Sequence, residues 1–442
     1  MPSWKQIVAQ NSEVIRPILT LGIGSVCAQL IPFVMSFILA RLYSPENFGE
    51  LGLFINYAGI LLIIASARYE LAIVRARTHS EAASVSVLSM GIAFLFCILL
   101  TLLIGITDLF QWEYIRGLSG RYLLPAFVFL SALFQVLVNY QNYTEGYKSI
   151  AYFTVFRNII QAISRVLFSF ASCLNGLIWG ALTGVAGGCF LFFAQKLALP
   201  WRLVTPRKIG YVLRKYANFP KYALPSSLFN SLSTNLPVIL FALFYTKQEV
   251  GYFTMTTTLL YLPVSLVSNS IGQVFYKKAS IWGSGKTARF GWSILSFNGL
   301  LSGLILVFLL SIGNTLFAFL LGEEWRTIGD YAILLLPWFA FVLCFSPLSL
   351  IFDVKDRQRT EMYLNIAAFA TRVAVILIGG YWALSAQEVI LGYGLGGVVI
   401  WWIEGAIIFR IVNIPLKKRW LFMAYLTGLF IIWGVYVWYK FI

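Results

Sequence analysis

The stretch "FTVFRNIIQAISRV" (Phe153–Val166) sets Thr154, Arg157, Asn158, Gln161, Ser164 and Arg165 at steps of three and four residues in otherwise apolar sequence. On a helix these positions share one face, a polar stripe carrying two guanidinium groups. Arginine grips phosphate oxygens in bidentate fashion, so the stripe suits an anionic ligand. Two further arginines stand in apolar surroundings: Arg68 in "SARYELAIVRAR" (Ser66–Arg77) and Arg372 in "NIAAFATRV" (Asn365–Val373). A second reading stays open for all four, that they are structural and snorkel to an interface or hydrogen-bond helix ends.

The elements that must position these residues follow from composition. The chain has 442 residues, 60% hydrophobic and 11% charged, with a mean hydropathy of +0.81. These values lie outside the range of soluble globular chains and identify a polytopic membrane protein. Roughly thirteen stretches are long and apolar enough to span a bilayer. Among them are Pro17–Ala40, Phe48–Val74, Ile150–Cys173, Met362–Trp382 and, last, Trp420–Tyr439. An arginine at a span centre costs about 2.5–3.5 kcal/mol, so each should face a wet cavity or a partner.

The net charge of +16 is topological rather than a nucleic-acid signature. With the N-terminus cytoplasmic, about twenty-three Lys and Arg fall in inner loops and about six outside, as the positive-inside rule requires. The C-terminus then lies outside. No cleavable signal peptide is expected, since the run from Pro17 reads as the first span. The five cysteines lack paired spacing, so neither a disulfide framework nor a metal site is expected, and no cofactor is implied. The sole histidine, His79, falls in a cytoplasmic loop.

Read on one helix, Arg68 and Glu70 point to nearly opposite sides and cannot pair with each other. Arg68 is expected to face the cavity as its cytoplasmic-side phosphate contact, and Glu70 to turn toward a neighbouring helix or the basic loop. Glu404, in "IWWIEGAIIF", is the clear acidic residue within a span. For Glu70 and Glu404 two roles stay open, neutralising an arginine or carrying a proton.

The chain also repeats itself. "ARLYSPENFGEL" from Ala40 and "ALFYTKQEVGYF" from Ala242 align Tyr43 with Tyr245, Ser44 with Thr246 and Gly49 with Gly251, at an offset of 202 residues. "NIIQAISRV" from Asn158 and "NIAAFATRV" from Asn365 align Arg165 with Arg372, at an offset of 207. Two matches at nearly one offset indicate duplication. The expected fold is an all-α membrane protein of two six-helix lobes, parallel repeats around a central cavity, plus a thirteenth C-terminal helix. The boundaries are residues 1–199 for the N-terminal lobe, 200–221 for a basic cytoplasmic linker, 222–411 for the C-terminal lobe and 412–442 for the extra helix.

"ARLYSPENFGELGLF", "RYELAIV", "SRVLF" and "YLPVSLVSNSIGQVFYKKAS" resemble the polysaccharide transporter family, which includes O-antigen and capsule repeat-unit flippases. That family belongs to the multidrug/oligosaccharidyl-lipid/polysaccharide exporter (MOP) superfamily. The resemblance runs from about Leu19 to Arg410. It implies a two-lobe flippase moving an undecaprenyl-diphosphate-linked oligosaccharide to the outer leaflet of the bacterial inner membrane by alternating access. It also implies a polysaccharide polymerase and chain-length machinery as partners, and leaves coupling to a proton or sodium ion open. Arg68 and Arg165 match cavity-lining family positions, and Arg372 enters through the repeat. With Arg157, Asn158, Gln161 and Asn365 they form the expected site for diphosphate and sugar. The runner-up, an organic-cation exporter, calls for acidic intramembrane residues, which arginines outnumber here. A repeat-unit polymerase calls for a large catalytic outer loop, and the longest here, Thr107–Tyr122, carries no paired carboxylates.

Overall fold

The computed structural model describes residues 29–110, 117–171, 175–194 and 204–441. Most of the first predicted span, including Ser25 and Cys27, lies outside them, as do Cys173 and the start of the basic linker. The helices in chain order are α1 (Gln29–Leu39), α2 (Pro45–Ala65), α3 (His79–Leu109), α4 (Leu124–Tyr143), α5 (Tyr147–Ser169) and α6 (Gly176–Ala194). There follow α7 (Pro206–Lys215), α8 (Leu224–Phe244), α9 (Lys247–Ile281), α10 (Ser284–Leu321) and α11 (Thr327–Ser349). The last three are α12 (Gln358–Tyr381), α13 (Ala386–Ile411) and α14 (Leu416–Phe441). Eleven stretches among the described residues are long and apolar enough to cross a membrane. Helix α5 has the length but not the hydropathy, because its polar stripe dilutes it.

The chain forms two compact units. One comprises the residues up to Tyr43 with Glu50–Asn235, the other Ser44–Gly49 with Leu236–Ile442. The core of the first is built by α2, α3, α4 and α6, with Phe54, Val128 and Ile178 wholly or almost wholly buried. In the second, α11 is buried along almost its whole length, and Phe345, Phe409 and Phe422 stack edge-on around it. Helix α14 docks on the same unit, where the Trp433 indole donates to the Ile333 carbonyl (2.7 Å). Lys440 of α14 pairs with Asp330 (2.6 Å).

The duplicated motif has a physical basis. The hydroxyls of Tyr43 and Tyr245 each donate to a distant carbonyl, that of Arg165 (2.6 Å) and that of Leu384 (3.0 Å). Ser44 bonds Asn47 ahead of α2, while Thr246 caps α9 in a box closed by Glu249. Gly49 and Gly251 then let the two helix starts cross at backbone contact. A Cβ on Gly49 would stand 1.9 Å from the Lys247 carbonyl oxygen, and one on Gly251 would stand 1.9 Å from that of Pro45. Pro45 and Lys247 are themselves related by the 202-residue offset, so the contact is reciprocal, as in small-residue crossings of membrane helices generally.

The second predicted span, Phe48–Val74, is not one helix. Helix α2 stops at Ala65, and Ala67 (φ 49°) and Arg68 (φ 62°) turn the chain through the left-handed region into a 3-10 helix over Tyr69–Arg75. Left-handed backbone costs a non-glycine residue roughly 1–2 kcal/mol, so tertiary contacts must hold the elbow. Ala72 and Ile73 are fully buried there, and the Tyr69 hydroxyl donates to the Leu213 carbonyl (3.1 Å). The hydropathy scan runs through the elbow because the segment beyond it is apolar too. His79 is the first residue of α3 rather than part of a loop, edge-on to Tyr143.

The basic segment ahead of α8 carries the amphipathic helix α7, whose apolar face (Val212, with Tyr216 just beyond) packs on Tyr69, Val85 and Tyr140. Lys215 ion-pairs with Glu81 at the start of α3, which holds the ammonium above its ordinary range.

Gly49→Ala and Gly251→Ala are each expected to destabilise the protein by about 1–3 kcal/mol through overpacking. Gly91→Ala, whose methyl group would meet nothing within 4 Å, should leave stability unchanged. Thermal unfolding of the detergent-purified variants checks this; equal melting temperatures for all three would contradict it.

Candidate functional site

Three of the predicted residues come together. Arg157, Gln161 and Arg165, one turn apart on α5, line a cavity of about 450 Å³ within the first unit, joined by Ser131 and Gln135 of α4. The remaining wall is apolar, from α2, α4 and α6. The volume is in the range of small-ligand sites. Two guanidinium groups and no carboxylate line it, and among the described residues neither guanidinium forms an ion pair.

The seat of Arg165 is built from backbone and amide oxygens. Its Nε donates to the Leu177 carbonyl (3.2 Å), and with the Gln161 amide oriented so that its oxygen faces the guanidinium, as the hydrogen-bonding pattern requires, that oxygen accepts from Nη2 (2.9 Å) and Nη1 (3.1 Å). Its own carbonyl takes the Tyr43 hydroxyl. Neutral partners orient the guanidinium and leave its charge uncancelled. Arg157 is held differently: its guanidinium carbon lies 4.9 Å from the centre of the Phe134 ring, and its buried Nε has no acceptor. A cationic cavity with mostly apolar walls strengthens any anion contact made inside it.

A glycine stripe on α6 makes this close approach possible. A Cβ on Gly180 would fall 2.3 Å from Arg165 Cγ, one on Gly184 2.5 Å from Gln161 Cβ, and one on Gly188 3.2 Å from Arg157 Cγ. Gly180 and Gly184 each face one member of the site across the α5–α6 contact, while Gly188 faces the Phe134 ring (2.8 Å) with Arg157 next to it. None of these glycines is among the site residues expected from the sequence. Their four-residue spacing, Gly176, Gly180, Gly184 and Gly188, is the signal that finds them. Ser131 and Gln135 were missed as well, though two polar residues four apart in an apolar span carry the same message.

The other predicted residues lie elsewhere. Arg68 and Glu70 do pair, contrary to the sequence expectation: Arg68 Nη1 lies 3.1 Å from Glu70 Oε1. The helical premise fails at the left-handed elbow, which brings residues two apart onto one side. Glu70, only 1% exposed, turns to Arg68 and not to a neighbouring helix or the basic loop. Arg68 also donates through Nε to Ser227 of α8 (2.9 Å) and is not among the residues lining the cavity. Asn158 is half-buried on α5. In the second unit Arg372 lies over the rings of Trp338 (5.3 Å) and Tyr393 (5.9 Å), while Asn365 is exposed on α12. Glu404 is buried on α13 and makes no ion pair among the described residues.

Residues 14–276 match the family described as polysaccharide biosynthesis protein. Among solved structures, the chain is similar to the lipid II flippase MurJ in an inward closed conformation, at 14% identity and a TM-score of 0.66, over 96% of this chain and 93% of that one. It is similar also to an inward-facing multidrug resistance MATE family transporter of the MOP superfamily, at 14% identity and a TM-score of 0.61, over 90% of this chain and 95% of that one. A MOP superfamily transporter from Pyrococcus furiosus matches at 15% identity and a TM-score of 0.57, again over 90% and 95%. At these identities the likeness is one of fold. No curated protein sequence gives a significant match.

The elbow gives a test of its own. Arg68→Ala leaves the Glu70 carboxylate buried without its cation and should cost about 3–5 kcal/mol. The double variant Arg68→Met/Glu70→Leu should recover most of that loss. Equal destabilisation of the single and double variants in thermal unfolding would show that the loss does not come from an unpaired Glu70 carboxylate.

Proposed function

The chain belongs to the polysaccharide biosynthesis protein family, and from that premise we propose that it is a flippase for undecaprenyl-diphosphate-linked oligosaccharide repeat units. It carries them from the cytoplasmic to the outer leaflet of a bacterial inner membrane by alternating access. The observation that carries this reading is the pair of uncancelled guanidinium groups, Arg157 and Arg165, in one cavity. A diphosphate offers several anionic oxygens, which suits two long arginine side chains about two helical turns apart on one face. Arg165, already oriented by Gln161 and Leu177, receives one phosphate with little loss of side-chain freedom. Arg157 supplies the second positive charge. Ser131 and Gln135 offer neutral hydrogen bonds to the adjoining sugar, while the polyprenyl chain stays in lipid.

Moving a bound headgroup across a bilayer breaks no covalent bond, so the function needs no catalytic residue. A cationic lining repels organic cations, which weighs against a drug exporter on the same fold. The substrate is an O-antigen or capsule repeat unit in this reading, with a polysaccharide polymerase and chain-length machinery acting downstream. In this reading the N-terminus lies in the cytoplasm and the C-terminus outside, a topology that the lysine- and arginine-rich loops support. Coupling to a proton or sodium ion falls to Glu404, since Glu70 is engaged by Arg68.

In proteoliposomes loaded with labelled lipid-linked repeat units, Arg157→Ala and Arg165→Ala should each slow flipping by about 10- to 100-fold, the value of a hydrogen bond to a charged group. Arg289→Ala, at an exposed position on α10, should flip at the wild-type rate. Wild-type rates for both cavity variants would sink the proposal.

A further inference from the structure

The duplication makes the two units comparable position by position, and at the cationic stripe they have diverged. The 207-residue offset that aligns Asn158 with Asn365 and Arg165 with Arg372 places Leu364 opposite Arg157 and Ala368 opposite Gln161. The second copy therefore keeps one guanidinium of the two and lacks the amide that orients it. Leu364 packs against the apolar core of the second unit, so its position is committed to packing.

The surviving arginine has also changed surroundings. Arg165 is seated by a carbonyl and an amide oxygen, whereas Arg372 is flanked by the rings of Trp338 and Tyr393. Those rings are 6% and 7% exposed. Trp338 is itself fixed by Gly397, on which a Cβ would come within 2.5 Å of the indole. Cation–π contact with two rings stabilises a half-buried guanidinium without any anion. Arg157 has a ring contact as well, with Phe134, but it shares one cavity with Arg165, whereas Leu364 stands where a second guanidinium beside Arg372 would be.

We infer that the anionic part of the substrate is bound by the first unit alone, at Arg157, Gln161 and Arg165. Arg372 is a packing residue that fastens α12 to Trp338 of α11 and Tyr393 of α13. This inference rests on the flippase reading and sharpens it: each chain handles a single diphosphate at a time, on one side of the repeat.

Calorimetric titration of the full-length, detergent-purified protein with geranyl diphosphate tests it. The wild type should saturate at a single site per chain, and Arg165→Gln should weaken binding by about 10- to 100-fold. Arg372→Gln should leave affinity within about twofold and the stoichiometry unchanged. If Arg372→Gln does not yield folded protein, Arg372→Lys takes its place, because lysine keeps a cation over Trp338 but loses the bidentate fork. Unchanged affinity in that variant supports the inference. Two sites per wild-type chain, or a loss at residue 372 as large as that at 165, would overturn one-sided binding and leave the flippase reading standing. Absence of binding to the wild type, or binding indifferent to Arg157→Gln and Arg165→Gln, would remove the flippase reading and the inference with it.

Discussion

Burying a guanidinium group in a helix bundle sets the terms for the rest of this structure. At about 2.5–3.5 kcal/mol for each arginine at a span centre, α5 could not sit in lipid with its stripe facing outward. The cost is offset by drawing α6 against that stripe until backbone and side chain interlock. The glycines at 180, 184 and 188 are what permit it. Once α6 is that close, the Leu177 carbonyl reaches Arg165 Nε, and Gln161 is pressed against the Arg165 guanidinium. The site is therefore a by-product of helix packing as much as of polar chemistry. Its rigidity is inherited from a contact that tolerates no added methylene.

The same use of glycine recurs where Gly49 and Gly251 cross. In both places a chain rich in large apolar residues reserves its smallest ones for backbone contact, because lipid supplies no hydrophobic drive between helices and close van der Waals packing must do that work. Charge is handled with comparable economy. Arg68 is neutralised locally by Glu70, and Lys440 by Asp330. Arg157, Arg165 and Arg372 have only neutral partners, and of these three Arg157 and Arg165 stand apart in sharing one cavity.

Much of this was legible from the residues. The period of the polar stripe predicted which face of α5 lines the cavity, because a helix buried in lipid cannot hide such a period. The repeat was legible at Tyr43 and Tyr245 and at Gly49 and Gly251, since each pair performs one job in each copy. What sequence reasoning missed were features set by tertiary contact. Nothing in "IIASARYELAIV" announces two successive left-handed residues at Ala67 and Arg68. The elbow exists because buried Ala72 and Ile73 and the Tyr69–Leu213 hydrogen bond hold it. With that turn undetected, the Arg68–Glu70 pair looked geometrically forbidden. The divergence of Arg372 from Arg165 was hidden for a related reason: alignment equates the arginines and is silent about Trp338 and Tyr393, which arrive from other helices.

The central claim is that the diphosphate of a lipid-linked oligosaccharide is held in the first unit by Arg157 and Arg165. The most direct measurement is a cryo-electron microscopy structure of the protein in lipid nanodiscs with that substrate bound. The account predicts diphosphate density within hydrogen-bonding distance of both guanidinium groups, with the Arg165–Gln161 contact retained. Diphosphate density seated away from α5, with the cavity beside Arg157 and Arg165 filled by lipid alone, would contradict it.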